Sequence, residues 1–271
     1  MIVRAALNAA ALALDSISPT ARLDAELLIA HAMGVTREDL LLRHLDAPVP
    51  AAFDALLARR LTHEPIAYIT GRRAFWTIEL VVGPGVLIPR ADSETLIEAA
   101  VAHFDDRAPV SILDLGTGPG SLMLAALDQW PGAQGIGVDR SPVALAMARA
   151  NADRLGMAAR ADFVTGDWAT SVAGRFDLVL ANPPYIGTSE PLPAEVRDHE
   201  PSEALFAGED GLDAYRAIIP DLPRLIAPGG AAILEIGHRQ AAAVGALVAA
   251  AALSPAVRHD LAGHPRAIIA T

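Results

Sequence analysis

Between residues 110 and 236, five short apolar runs alternate with helix-patterned stretches, and this alternation confines the chain to one class of fold. The runs cover 110–115, 135–139, 161–165, 176–181 and 231–236, and the stretch from Ser121 to about Gln129 carries helical spacing. Strands that alternate with helices pair in parallel through right-handed crossovers, because each helix packs back onto the sheet it left. Two further runs, 257–260 and 266–269, have a connection too short for a crossover and predict an antiparallel hairpin.

The first run ends in Asp114-Leu115-Gly116-Thr117-Gly118-Pro119-Gly120. Glycine admits positive φ and lets a ligand approach the backbone closely. The helix that follows presents free N–H groups at its start. The second run ends in Asp139, about 20 residues beyond the turn, where an acid at a strand tip is placed for two ribose hydroxyls. Ser141-Pro142 then opens a helix, with serine as N-cap and proline at the first position. The third run leads to Asp167-Trp168, a carboxylate that can bond an exocyclic amine beside an indole that can cover an adenine face. Nicotinamide nucleotides need a phosphate-binding loop, whereas Asp114 repels a pyrophosphate and attracts a cationic amino group. S-adenosylmethionine carries such a group and a sulfonium, and no phosphate, so Asp114 favours it over a dinucleotide.

Asn182-Pro183-Pro184-Tyr185 directly follows the fourth run. Prolines carry no N–H and hold φ at about −65°, so the strand's hydrogen-bond ladder stops there. The Pro183 carbonyl and the Asn182 side-chain amide are left free and rigidly held, with the Tyr185 ring beside them. This cup accepts N–H bonds from a planar group bearing NH2, an amide or an amino-purine edge, and offers no strong base. Paired prolines also punctuate ordinary loops; the cofactor turn upstream gives this one its weight.

Together these motifs resemble the release-factor glutamine methyltransferases, the HemK/PrmC family. The resemblance covers nearly the whole chain. Glu64-Pro65-Ile66-Ala67-Tyr68-Ile69-Thr70-Gly71 is similar to the family's interdomain signature, and Val86-Leu87-Ile88-Pro89-Arg90 with Glu94 to the segment before its catalytic domain. Glu200-Pro201, Ala204-Leu205 and Gly208-Glu209-Asp210-Gly211-Leu212 match a further run. The Asn-Pro-Pro-Tyr element alone is shared with adenine-N6 methyltransferases.

The resemblance implies a class I (Rossmann-like) α/β methyltransferase sheet that uses S-adenosylmethionine and releases S-adenosylhomocysteine. Its cofactor residues would be Asp114, Gly116, Thr117, Gly118, Pro119 and Gly120 in the turn, then Asp139, Asp167, Trp168 and Asn182. Asn182, Pro183, Pro184 and Tyr185 would bind the substrate, the glutamine of a GGQ motif in peptide chain release factors, with Asn182 and Pro183 catalytic. Two departures stand out. Pro119 replaces a small hydroxyl residue and has no N–H to donate, and Ala91-Asp92-Ser93-Glu94 replaces Pro-Glu-Thr-Glu while keeping acid, hydroxyl and acid.

The rest of the chain sets the frame. Residues 1–73 repeat leucines at helical spacing, among them Leu23, Leu27, Leu28, Leu40 and Leu41, and predict a small helical bundle for substrate recognition. Residues 74–91 predict a linking β-hairpin turning at Gly83-Pro84-Gly85, and residues 92–271 the methyltransferase domain. With 21 basic residues, all arginine, and a net charge of −11, the chain is a poor non-specific binder of nucleic acid. Arg59, Arg60, Arg72, Arg73 and Arg90 read as a solvated surface, or alternatively as a docking face for an acidic protein.

There is no cysteine, no apolar stretch of membrane-spanning length and no signal-peptide pattern, so a cytoplasmic monomer without metal or membrane is expected. His63, His199 and His238 lack ligand spacing. Glu235 reads as bonding neighbouring backbone, Glu200 as structural, Phe75 and Trp76 as core, and Arg90 with Glu94 as a brace. Two other substrates fit the same cup, a ribosomal-protein glutamine and an adenine N6 of nucleic acid. A non-catalytic cofactor-binding module would show broken motifs, and these are intact.

Overall fold

The computed structural model describes residues 1–170 and 172–271, which form two units, Met1–Arg72 with Leu192–Glu200 and Arg73–Pro191 with Pro201–Thr271.

The first unit is helical: α1 (Val3–Leu14), α2 (Ala21–Met33), α3 (Arg37–Arg43), α4 (Phe53–Leu61) and α5 (Ile66–Thr70). Thr36 caps α3 by accepting the Asp39 N–H at 3.1 Å, the usual role of a hydroxyl at that position. Leu7, Leu28, Ile29, Leu40 and Phe53 fill its core at 0–1% exposure, each contributing about 1.5–3 kcal/mol by leaving water. Leu23 faces outward instead.

Two sequence expectations are corrected in this unit. Arg60 is not a surface cation: it is 3% exposed and pairs with Asp24 at 2.8 Å. The unit also takes in residues 192–200, assigned from sequence to the methyltransferase domain, because their one-turn helix (Ala194–Arg197) carries Glu195 to the same guanidinium at 2.8 Å. His199 bonds the Thr62 carbonyl at 3.2 Å.

A small hairpin, β1 (Arg72–Phe75) and β2 (Ile78–Val81), lies in the second unit from Arg73 onward. The expected turn at Gly83-Pro84-Gly85 is corrected: the chain reverses at Trp76-Thr77, where Trp76 takes φ 53°. Its N–H donates to Glu94 Oε1 at 2.9 Å, a tertiary bond that holds a turn no glycine marks. Residues 86–88 are therefore loop rather than strand.

A seven-stranded sheet follows in the order β5-β4-β3-β6-β7-β9-β8. Its strands are β3 (Ser111–Leu115), β4 (Gln134–Asp139), β5 (Ala161–Thr165), β6 (Phe176–Ala181), β7 (Ile226–Glu235), β8 (Pro255–His259) and β9 (Pro265–Ala270). The first five are parallel, and β9 runs antiparallel to both β7 and β8. Helices α6 (Glu94–Phe104), α7 (Ser121–Gln129) and α8 (Pro142–Arg154) precede or cross over these strands. Ile112, Leu113, Leu178, Val179, Leu180, Ile233 and Leu234 are fully buried, the signature of a sheet covered on both faces.

Strand order reverses between β3 and β6, the switch point where open α/β sheets bind ligands. Leu115 pairs with Ala181, and Ala181 with Leu234, so the glycine turn, Asn182 and Glu235 all emerge at one end of the sheet.

Candidate active site

The glycine turn is fastened from behind. The N–H groups of Gly116 and Thr117 donate to the Val138 carbonyl at 2.8 and 2.9 Å. Gly116 has φ 73°, and a Cβ there would meet the Trp168 ring at 3.1 Å, so the indole packs closely against bare backbone. Asn151, fully buried in α8, donates to the carbonyls of Pro119 and Val81 at 3.0 Å and accepts the Val81 N–H at 2.7 Å. Pro119 is thus held by its carbonyl.

Asp139 accepts N–H bonds from Gly118 and Ser141, both at 2.8 Å, tying the turn to the start of α8. Ser141 caps that helix on the Ala144 N–H at 3.2 Å. Asp114 sits behind the turn at 1% exposure. Its Oδ2 accepts from Thr117 Oγ1 at 2.6 Å and from the Met123 N–H at 3.3 Å. Its Oδ1 is buried with no donor among the described residues. Burial pushes this carboxyl up to about 7.

A cavity of about 430 Å³ opens in front of the turn. Of the residues singled out from sequence, Gly116, Gly118, Asp139, Asp167, Trp168, Asn182 and Pro184 line it. Asp114, Thr117, Pro119 and Gly120 form the layer behind the wall, and Pro183 and Tyr185 also stand off it. Residues 85–87 supply part of the wall, and so do Pro201 and the segment from Glu203 to Gly208. The sequence reading placed the former in a hairpin and gave the latter no role in the site; their loop conformation carried no periodic signal.

At the cavity edge Asn182 donates from Nδ2 to Ser93 Oγ at 3.0 Å, which leaves its side-chain oxygen outward as an acceptor. No donor among the described residues reaches the Pro183 carbonyl. Tyr185 turns its hydroxyl onto Glu235 Oε1 at 3.4 Å, and its carbonyl accepts from Gln240 Nε2 at 2.9 Å. Burial holds the Tyr185 phenol well above its ordinary range. Glu235 does not bond backbone with its side chain, as its position at a strand end predicts; it meets Tyr185 and Ser93. It is 1% exposed, and burial pushes its carboxyl up to about 7.

Residues 5–71 match the family model described as the PrmC N-terminal domain, and residues 91–192 match the methyltransferase small domain. A release factor glutamine methyltransferase from Rhodospirillum rubrum is 43% identical over 92% of this chain and 78% of its own length. One from Cereibacter sphaeroides is 45% identical over 96% of this chain and 94% of its own. The chain belongs to the release factor glutamine methyltransferase family.

Within that family the structural likeness extends to the wider methyltransferase fold. A Pyrococcus furiosus methyltransferase superposes with a TM-score of 0.55 at 16% identity, covering 79% of this chain and 95% of that one. A ribosomal protein L11 methylase from Lactobacillus delbrueckii gives 0.52 at 18% identity, covering 67% and 79%. Both likenesses concern the fold. Among the described residues no helix is long and apolar enough to cross a membrane.

Proposed function

We propose that this enzyme transfers the methyl group of S-adenosylmethionine to the side-chain amide nitrogen of a glutamine in a peptide chain release factor. The observation that carries the reading is the fixed direction of the Asn182 amide: its NH2 is taken by Ser93, which leaves its oxygen as an acceptor at the cavity wall, one residue before the undonated Pro183 carbonyl. The printed names of relatives at 43% and 45% identity supply the substrate class.

The residues present fit the cofactor. Asp114 keeps a buried oxygen without a donor, which suits a cationic amino group. Gly116 and Gly118 offer bare backbone, Asp139 a carboxylate for ribose hydroxyls, and Asp167 with Trp168 an acid and a ring for adenine. When bound, S-adenosylmethionine supplies a methyl on a sulfonium, activated because the leaving group is a neutral thioether.

An amide nitrogen is a poor nucleophile, since its lone pair is delocalised into the carbonyl. The Asn182 oxygen and the Pro183 carbonyl each accept one of its N–H bonds, fix the amide plane and stabilise the positive charge that grows on nitrogen. Ideal positioning supplies roughly 7–11 kcal/mol, and one preorganised dipole about 3–4 kcal/mol. No general base is required, because the proton on the methylated nitrogen is strongly acidic and leaves to water or a carbonyl. In this reading the enzyme is a cytoplasmic monomer with no stable nucleic-acid partner, and the net charge of −11 favours a protein over a polyanion.

Incubation with labelled cofactor, purified release factor, ribosomes and DNA tests the reading. Label on a release-factor glutamine is expected; label only on ribosomal protein or DNA overturns it.

A further inference from the structure

Glu235 is a buried acid that the transfer chemistry does not use, and it sits one position beyond Leu234, whose strand partner Ala181 immediately precedes Asn182. Beside both side chains stands Ser93, 3% exposed, which accepts from Asn182 Nδ2 at 3.0 Å and faces the Glu235 carboxylate. Tyr185 donates to Glu235 Oε1 at 3.4 Å, and the Tyr215 hydroxyl donates to the Glu235 main-chain carbonyl at 2.7 Å, which pins the strand end. The other Glu235 oxygen is buried without a partner among the described residues.

We infer that Ser93 and Glu235 are positioning residues which fix the direction of the Asn182 amide, so that the ionised carboxylate of Glu235 holds the enzyme in its methyl-transferring form. This deepens the proposed function and rests on it for the identity of the substrate. An asparagine amide presents either oxygen or NH2 to the cavity with almost the same shape, and only the oxygen accepts the N–H of a substrate amide. A serine hydroxyl has a single proton. While that proton is committed to the Glu235 carboxylate, Ser93 meets Asn182 with lone pairs alone, and only the NH2-inward amide is bonded.

Protonated Glu235 reverses this. It donates to Ser93, whose own proton is then free to point at the Asn182 oxygen, and the amide turns its NH2 toward the cavity, where it opposes the substrate's NH2. The groups facing Glu235 are Ser93 and Arg266 from β9, which favour the charged form, Tyr185, which donates to Oε1, and Asp92, which opposes the charge. Tyr215 bonds only the main chain. Burial outweighs the favourable contacts and brings the carboxyl into the neutral range.

The test is a set of kcat–pH profiles for the full chain and three variants, read beside cofactor affinity and the Asn182 side-chain NH2 signals in NMR. The wild type, measured at saturating cofactor, is expected to lose kcat on the acid side of about pH 7, tenfold per pH unit at the limit. Ser93→Ala is expected to lower kcat at least tenfold and flatten the acid limb, and Ser93→Thr to recover most of the loss. Glu235→Gln is expected to be slow at every pH.

The Asn182 NH2 signals need no substrate. They should follow one titration in the wild type, and that titration should vanish in Glu235→Gln. An NH2 signal indifferent to pH, or a Ser93→Ala enzyme with normal kcat and an unshifted limb, overturns the inference. An unlabelled release factor beside a titrating NH2 signal overturns the substrate and leaves the positioning standing.

Discussion

Asn182 and Ser93, 89 positions apart in the chain, meet through a 3.0 Å hydrogen bond in which the asparagine is the donor. That direction leaves the asparagine oxygen as an acceptor at the cavity wall. In the proposed mechanism, transfer depends on how one amide is turned as much as on which residues are present.

In the proposed mechanism, replacement of Asn182 by alanine removes one of two acceptors for the substrate amide. Turnover is expected to fall by about two to three decades, the usual effect of one lost preorganised dipole. Single-turnover kinetics with saturating cofactor, alongside a cofactor titration, separates the step from binding. Normal turnover removes Asn182 from the mechanism.

Asp139 serves twice, accepting N–H bonds from Gly118 and Ser141 while it faces the cavity. Asp139→Ala is expected to weaken cofactor binding at least tenfold while circular dichroism stays unchanged. Asp139→Asn keeps an acceptor and should fall between the two. Calorimetry showing equal affinity for all three refutes the ribose assignment.

Asp114 and Glu235 both hold protons more tightly in the folded chain, at about 7, than in the unfolded one. The native state therefore binds more protons than the unfolded state across the range from about pH 4 to about pH 7, so their contribution to stability is present in acid and lost as pH rises through about 7. Glu26 and Glu64 act in the opposite sense: their folded values are lowered, Glu64 by its bond to Arg59 and Glu26 by Arg22 and Arg37 against the opposing effect of burial. The difference between Asp114→Asn and wild type isolates the effect of one carboxyl. In urea titrations without cofactor, the variant is expected to gain stability relative to wild type as pH rises from about 5 to about 8. A constant difference contradicts this.

The Arg60–Asp24 pair is buried at both ends, at 3% and 6% side-chain exposure. Arg60→Ala leaves Asp24 charged and without its partner, at an expected cost of about 3–5 kcal/mol. The double change Arg60→Met with Asp24→Leu should recover much of it. Thermal melts of the three proteins decide, and a harmless single change shows that water reaches the carboxylate.

Much of the fold was legible locally. The helix Ser121–Gln129, the serine cap and proline start of α8, the five parallel strands and the closing antiparallel pair all follow from periodicity and turn chemistry, which act over a few residues. The glycine turn and Asn182-Pro183-Pro184-Tyr185 were legible too, because glycine and proline write their backbone constraints directly into sequence. The hairpin turn at Trp76 was not, since its left-handed backbone is held by Glu94, a residue on another element.

Sequence alone thus determined the parallel strands, their closing antiparallel pair and the placing of Asn182-Pro183 at a strand end. Only the folded chain decided that residue 235 lies beside residue 182, that Ser93 stands beside both, and that Arg60 is interior. The physical reason is that propensity and turn geometry are properties of neighbours in sequence. Strand register, desolvation and the resulting proton affinity of a carboxylate are properties of neighbours in space, which the local pattern does not encode.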